Sequence, residues 1–67
     1  MPDSKVIGAR LRALRGNMTQ TFLAKLLGVS PSSINMYETG ERTPSDKIKV
    51  KYVEVFGHSV QSIFFDM

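Results

Sequence analysis

Apolar residues at Ile7, Leu11 and Leu14 recur at helical spacing, with Arg10, Arg12 and Arg15 set between them, and predict a helix over roughly Ser4 to Arg15. Gly8 interrupts it at a cost of about 1 kcal/mol against alanine, so close packing on a neighbour is expected there. Leu23, Ala24, Leu26 and Leu27 form a second apolar face. Ile34 and Tyr37 form a third, with Glu38 also turned toward the protein. Ile48, Tyr52 and Phe56 mark a fourth helix, and Val60, Ile63 and Phe64 a short fifth. No strand-like alternation of useful length appears, so the pattern predicts an all-α domain of five helices without a sheet.

Polar punctuation sharpens the middle of this pattern. Thr19 can cap the second helix through its hydroxyl, and Gly28 follows the last apolar pair, where a positive φ would close it. Ser30 caps again, and Pro31 takes the first helical position of a third helix running to Thr39, where its missing N–H costs nothing. Two caps eleven residues apart define a tight helical hairpin. Ala24 permits a close crossing there, and Val29 can plug the gap under the turn. Thr43 is the expected cap of the fourth helix, with Pro44 in its first turn and Gly57 at its end. Ser59 is the expected cap of the fifth.

The outer face of the third helix is unusual. Ser32, Ser33, Asn35 and Met36 point away from the protein, and none is charged. A solvated face ordinarily carries Lys or Glu, whereas small hydroxyls, an amide and a thioether suit base edges. Asn can pair bidentately with adenine, and Met can pack on a thymine methyl. Alone, such a face also fits an ordinary polar helix; inside a capped hairpin it points to readout of DNA.

The ordered set Met18-Thr19-Gln20, Leu23-Ala24, Leu27-Gly28-Val29-Ser30, Ile34, Tyr37-Glu38, Gly40, Arg42 and Pro44 resembles the Cro/repressor-type (XRE-like) helix-turn-helix family of bacterial and phage regulators. Phe56-Gly57, Ser59-Val60 and Ile63-Phe64 resemble its last two helices, so nearly the whole chain is covered. The resemblance implies one compact lambda-repressor-like domain over residues 1–67, with the helix-turn-helix formed by helices 2 and 3. It implies base contacts from Ser32, Ser33, Asn35 and Met36, and phosphate contacts from Thr19, Gln20, Arg15 and Arg42. Glu38 would pair with an arginine of the first helix, for which Arg15 is the best match, fastening the recognition helix to the scaffold.

Three positions depart from the family pattern. The segment between Arg15 and Gln20 is shorter than in many relatives. Phe22 stands where Glu is frequent, which removes the usual capping box and exposes a ring. Lys49 replaces a frequent core position, so the fourth helix is expected to pack in a rotated register through Ile48, Tyr52 and Phe56.

Composition narrows the function. A chain of 67 residues without cysteine has no disulfide or Cys-based zinc site, so helix packing must supply its stability. No apolar run approaches the ~20 residues of a membrane span, and the N-terminus lacks a signal-peptide core. Lys5, Arg10, Arg12, Arg15 and Lys25 face only Asp3 in residues 1–30, a net +4, while residues 31–67 sum to −1. The basic excess on the first two helices fits phosphate contact and predicts salt-sensitive binding.

Catalysis is not expected: His58 is the only histidine and lies in a turn, and the acids are scattered singly. No cofactor is expected either. The resemblance implies a sequence-specific regulator, in particular a small phage- or mobile-element-type repressor, cytoplasmic and without a membrane. It would bind double-stranded DNA as a homodimer on a palindromic or near-palindromic operator. Phe64, Phe65 and Met67 lie close together and cannot all face one core, which fits either a frayed, partly exposed tail or a two-fold dimer contact through Phe64 and Phe65; Phe22 is a lesser candidate. With the sequence ending after the fifth helix, control is expected from concentration, competition or a separate partner. An antitoxin-like protein-interaction module on the same fold is the alternative reading.

Overall fold

Asp3 opens the first helix: its Oδ1 accepts from the Val6 N–H at 2.9 Å, and α1 runs Ser4–Arg15. The computed structural model describes residues 3–65, with the side chain of Phe65 outside that description. In α2 (Gln20–Leu27) the Thr19 hydroxyl accepts from Phe22 N–H, and Gly28 closes the helix at φ +73°. The third helix, α3 (Pro31–Thr39), is capped by Ser30 through the Ser33 N–H. These are the expected bounds, because every signal involved acts within three or four residues.

The fourth helix corrects the expectation. Ser45, not Thr43, caps α4 (Asp46–Phe56), its Oγ accepting from Ile48 N–H at 3.4 Å. Pro44 is buried ahead of the helix rather than inside its first turn. Seating that ring moves the start of the helix along the chain. Thr43 is left to hydrogen-bond Ser4 Oγ at 2.9 Å, tying the loop to the start of α1. Ser59 caps the last element, α5 (Gln61–Phe65), as expected, accepting from Ser62 N–H at 3.0 Å. That element is a single π-helical turn.

The core gathers Ile7 and Leu11 of α1, Leu23, Ala24 and Leu27 of α2, Ile34 and Tyr37 of α3, Tyr52 of α4, and Ile63 and Phe64 of α5. Tyr52 is its aromatic hub, with ring centroids 6.5 Å from Tyr37, 6.1 Å from Phe56 and 6.2 Å from Phe64. Ile48 and Phe56 pack beside it at partial exposure, which is the expected register of α4. Lys49 snorkels at the margin, with Nζ 5.3 Å from the Phe64 ring and 3.9 Å from Asp46.

Phe64 is therefore a core residue, 1% exposed, and does not offer the dimer contact expected of it. Its ring packs edge-on against Tyr52 in the core. The Phe65 side chain and Met67 lie outside the described residues. Arg10 fastens the same turn, donating from Nη1 to the carbonyl oxygens of Ile63 at 3.2 Å and Ser62 at 3.5 Å.

Close backbone contact between α1 and α3 explains Gly8. A Cβ there would lie 2.5 Å from the Glu38 carbonyl oxygen and 2.7 Å from that of Tyr37. Beyond the end of α3, a Cβ on Gly40 would lie 2.9 Å from Lys5 Cα. The third helix is thus held against α1 at near backbone contact.

Candidate nucleic-acid interface

Position on α3 follows from its two buried residues. Ile34 is 0% and Tyr37 6% exposed, so the helix is pinned from one side. Ser32 and Asn35 on the other side are exposed, while Ser33 and Met36 are half-buried. Ser33 is partly a structural residue, since its Oγ lies 3.1 Å from the capping Ser30 Oγ. The outward surface is neutral: a hydroxyl, a carboxamide and a thioether at helical spacing, able to donate, accept and pack without bringing a charge.

Beneath that surface runs a polar network joining three helices. Arg15 Nε donates to Glu38 Oε2 at 2.6 Å and Nη2 to Oε1 at 3.1 Å. Its Nη1 donates to the Met18 carbonyl oxygen at 2.6 Å. The Glu38 side chain is 5% exposed and that of Arg15 13%, so the pair is shielded from solvent at the junction of α1 and α3. Charge-assisted bonds of this two-pronged kind add geometric specificity as well as energy. The expected pairing forms despite the short segment before Gln20, which the Arg15–Met18 bond closes.

Gln20, in the first turn of α2, extends the network. Its Nε2 donates to Glu38 Oε1 at 3.1 Å and to Asn35 Oδ1 at 3.4 Å. Both hydrogens of that nitrogen are engaged, so as seated the side chain has only an acceptor left, and a phosphate needs a donor. What remains is the backbone N–H of Gln20 at the start of α2, a favourable place for an anion. Beside it, the exposed Thr19 accepts from Phe22 N–H and keeps its own hydroxyl hydrogen to donate. In the loop after α3, Arg42 is exposed, and its backbone N–H binds the Met36 carbonyl at 3.2 Å.

The arginines of α1 are less available than their charge suggested. Arg10 holds α5, Arg12 donates to the Gly16 carbonyl at 3.3 Å, and Arg15 holds Glu38. Sequence reasoning saw the charge but not the Gln20 bridge or the Arg10 clasp, whose partners are 15 to 53 residues away. A groove of about 510 Å³ between α1 and α5 is lined by Arg10, Ala13, Leu14, His58, Ser62 and Ile63. It brings together no carboxylate–histidine pair. No group of three His, Cys, Asp or Glu that could hold a metal occurs among the described residues. Nor is any described helix long and apolar enough to cross a membrane.

Residues 9–62 match the model of the helix-turn-helix family. An uncharacterised HTH-type transcriptional regulator of Methanocaldococcus jannaschii is 45% identical over 53 residues, covering 79% of each chain. Another, from Archaeoglobus fulgidus, is 42% identical over 48 residues, covering 72% of this chain and 68% of that one. Among solved structures, the clp gene regulator ClgR of C. glutamicum resembles this fold with a TM-score of 0.77. It is 27% identical and aligns with 90% of this chain and 80% of its own.

Proposed function

The chain belongs to the helix-turn-helix family of DNA-binding transcriptional regulators, and we propose that it is a sequence-specific regulator that seats α3 in the major groove of double-stranded DNA. It is not an enzyme; its family and the relatives named above are regulators of transcription. The observation that carries the reading is the neutral face of Ser32, Asn35 and Met36 on a helix held rigidly from behind by Arg15 and Glu38. Side chains that read bases need positional precision, and a helix pinned by backbone contact at Gly8 supplies it.

In this reading Ser32, Asn35 and Met36 meet base edges, with Ser33 beside them. The Thr19 hydroxyl, the Gln20 backbone N–H and Arg42 meet phosphates on either side, and Arg15 stands behind them as the fastener. The protein acts in the cytoplasm as a small repressor of phage or mobile-element type, occluding a promoter. It binds as a homodimer, presenting two α3 helices about 34 Å apart to a near-palindromic site. Selection from random duplex DNA at near-physiological salt tests this directly. A two-fold symmetric consensus is the expected result; a bound pool without consensus would sink the reading.

A second reading rests on Phe22 and Leu26, which lie one turn apart on α2 and remain 53% and 44% exposed. Such a pair could anchor a protein partner in an antitoxin-like complex. Replacing both with polar residues separates the two: DNA selection would survive and partner capture would not.

A further inference from the structure

We infer that the first turn of α1 supplies a DNA contact of its own: Lys5, carried across the end of α3 over Gly40, binds a backbone phosphate next to the one met by Arg42. The inference rests on the proposed seating of α3 in the major groove and adds to it a contacting element outside the helix-turn-helix.

Close ties hold the loop after α3 against both α3 and α1. The Arg42 N–H and the Thr39 hydroxyl both donate to the Met36 carbonyl oxygen, each at 3.2 Å. Thr43 Oγ1 lies 2.9 Å from Ser4 Oγ, in the first turn of α1. Gly40, at φ +83°, approaches Lys5 so closely that a Cβ there would stand 2.9 Å from its Cα and 3.0 Å from its Cγ. The stem of Lys5 therefore leaves α1 directly over the end of α3.

Distance and charge then assign the ammonium group. The Cα atoms of Lys5 and Gly40 lie within roughly 4.5 Å, one C–C bond beyond that contact, and two residues of chain span at most about 7 Å. Lys5 and Arg42 thus start within roughly 12 Å of each other, and each side chain reaches about 6 Å. Lys5 is exposed and makes no ion pair among the described residues. The arginines of α1 are engaged elsewhere, Arg10 by α5, Arg12 by Gly16 and Arg15 by Glu38. Of the nearby acids, Asp3 is turned onto the Val6 N–H, and the exposed Glu41 is outnumbered by the two cations. An ammonium and a guanidinium at this spacing repel each other unless anions face them, and successive phosphates of one strand supply those anions.

Salt titrations on the selected operator and on random duplex test this. Lys5→Gln is expected to reduce the slope of log affinity against log salt by about one on both DNAs, and Lys5→Arg to keep the wild-type slope. Combined with Arg42→Ala, Lys5→Gln should reduce it by about two, since the two cations take separate phosphates. The competing role for Lys5 is to face the carbonyl end of α3, where a cation is favourable. In that case Lys5→Gln lowers the melting temperature and leaves the slope as it was, which overturns the inference. An equal reduction in Lys25→Gln, at an exposed position of α2, would reflect net charge alone and overturns it as well. A wild-type protein that binds both DNAs too weakly to titrate removes the DNA-binding function itself, and the inference with it.

Discussion

Arg15 and Glu38 meet in a two-pronged ion pair, at 2.6 and 3.1 Å, that joins the last turn of α1 to the last turn of α3. Each partner is largely withdrawn from water, so each depends on the other to satisfy its charge. Removing one leaves the other stranded, which costs far more than the pair contributes over an apolar substitute. Glu38→Ala is expected to destabilise the domain by about 3 kcal/mol in urea unfolding. The double variant Arg15→Met with Glu38→Leu should lose less than the single one. A double variant as unstable as the two single losses combined would contradict the coupling.

Gly8→Ala tests the backbone contact between α1 and α3. Helix propensity alone would make alanine better by about 1 kcal/mol. A methyl 2.5 Å from the Glu38 carbonyl oxygen must instead push the helices apart. Overpacking of this sort costs about 1–3 kcal/mol, so a net loss of stability is expected in thermal unfolding. Stabilisation would show that the helices part easily.

Asn35→Ala and Arg42→Ala should both leave folding nearly untouched, since both side chains are exposed. Their effects on DNA binding should differ in kind. Asn35→Ala is expected to lower affinity for the selected operator by about tenfold or more while sparing weak binding to random duplex. Arg42→Ala should weaken both alike and reduce the slope of log affinity against log salt by about one. Titrations at several salt concentrations tell the two apart.

Tyr52 makes an alkaline prediction. Its hydroxyl is buried and finds no hydrogen-bond partner among the described residues. Burial, aided by the negative charge of Glu38 and by Tyr37 and opposed by Arg15, pushes its ionisation well above the ordinary phenol value. Below about pH 10 the phenol is protonated in both states and contributes no pH dependence. Above that, the unfolded chain releases the proton while the fold retains it, so stability falls as pH rises through the interval between the two values. The slope approaches about 1.4 kcal/mol per pH unit for one group. Tyr52→Phe should be at least as stable as wild type at pH 7 and lose less between pH 10 and 11. Parallel alkaline losses in the two proteins would refute the assignment.

Much of this protein was legible from its residues because the determining interactions are local. Thr19 and Ser30 cap through amides three residues on, and Gly28 turns the chain with its own φ, so the hairpin and the bounds of α1, α2 and α3 could be read before any contact was seen. Gly8 announced a close approach simply by standing in a helix at a cost. The neutral outer face of α3 was equally visible, since helical periodicity alone separates Asn35 from Ile34 and Tyr37.

Tertiary structure decided the choices in which two residues were locally equivalent. Thr43 and Ser45 can both cap a helix, and the burial of Pro44 selected Ser45. Nothing local marks Phe64 for the interior, and the space beside Tyr52 brought it into the core. The roles of Arg10 and Gln20 depended on partners 15 to 53 residues away, beyond the reach of any local pattern. Sequence determined which groups could donate and accept; only the packing of α1, α2 and α3 decided which donor faced which acceptor, because a hydrogen bond requires its two atoms within about 3.5 Å.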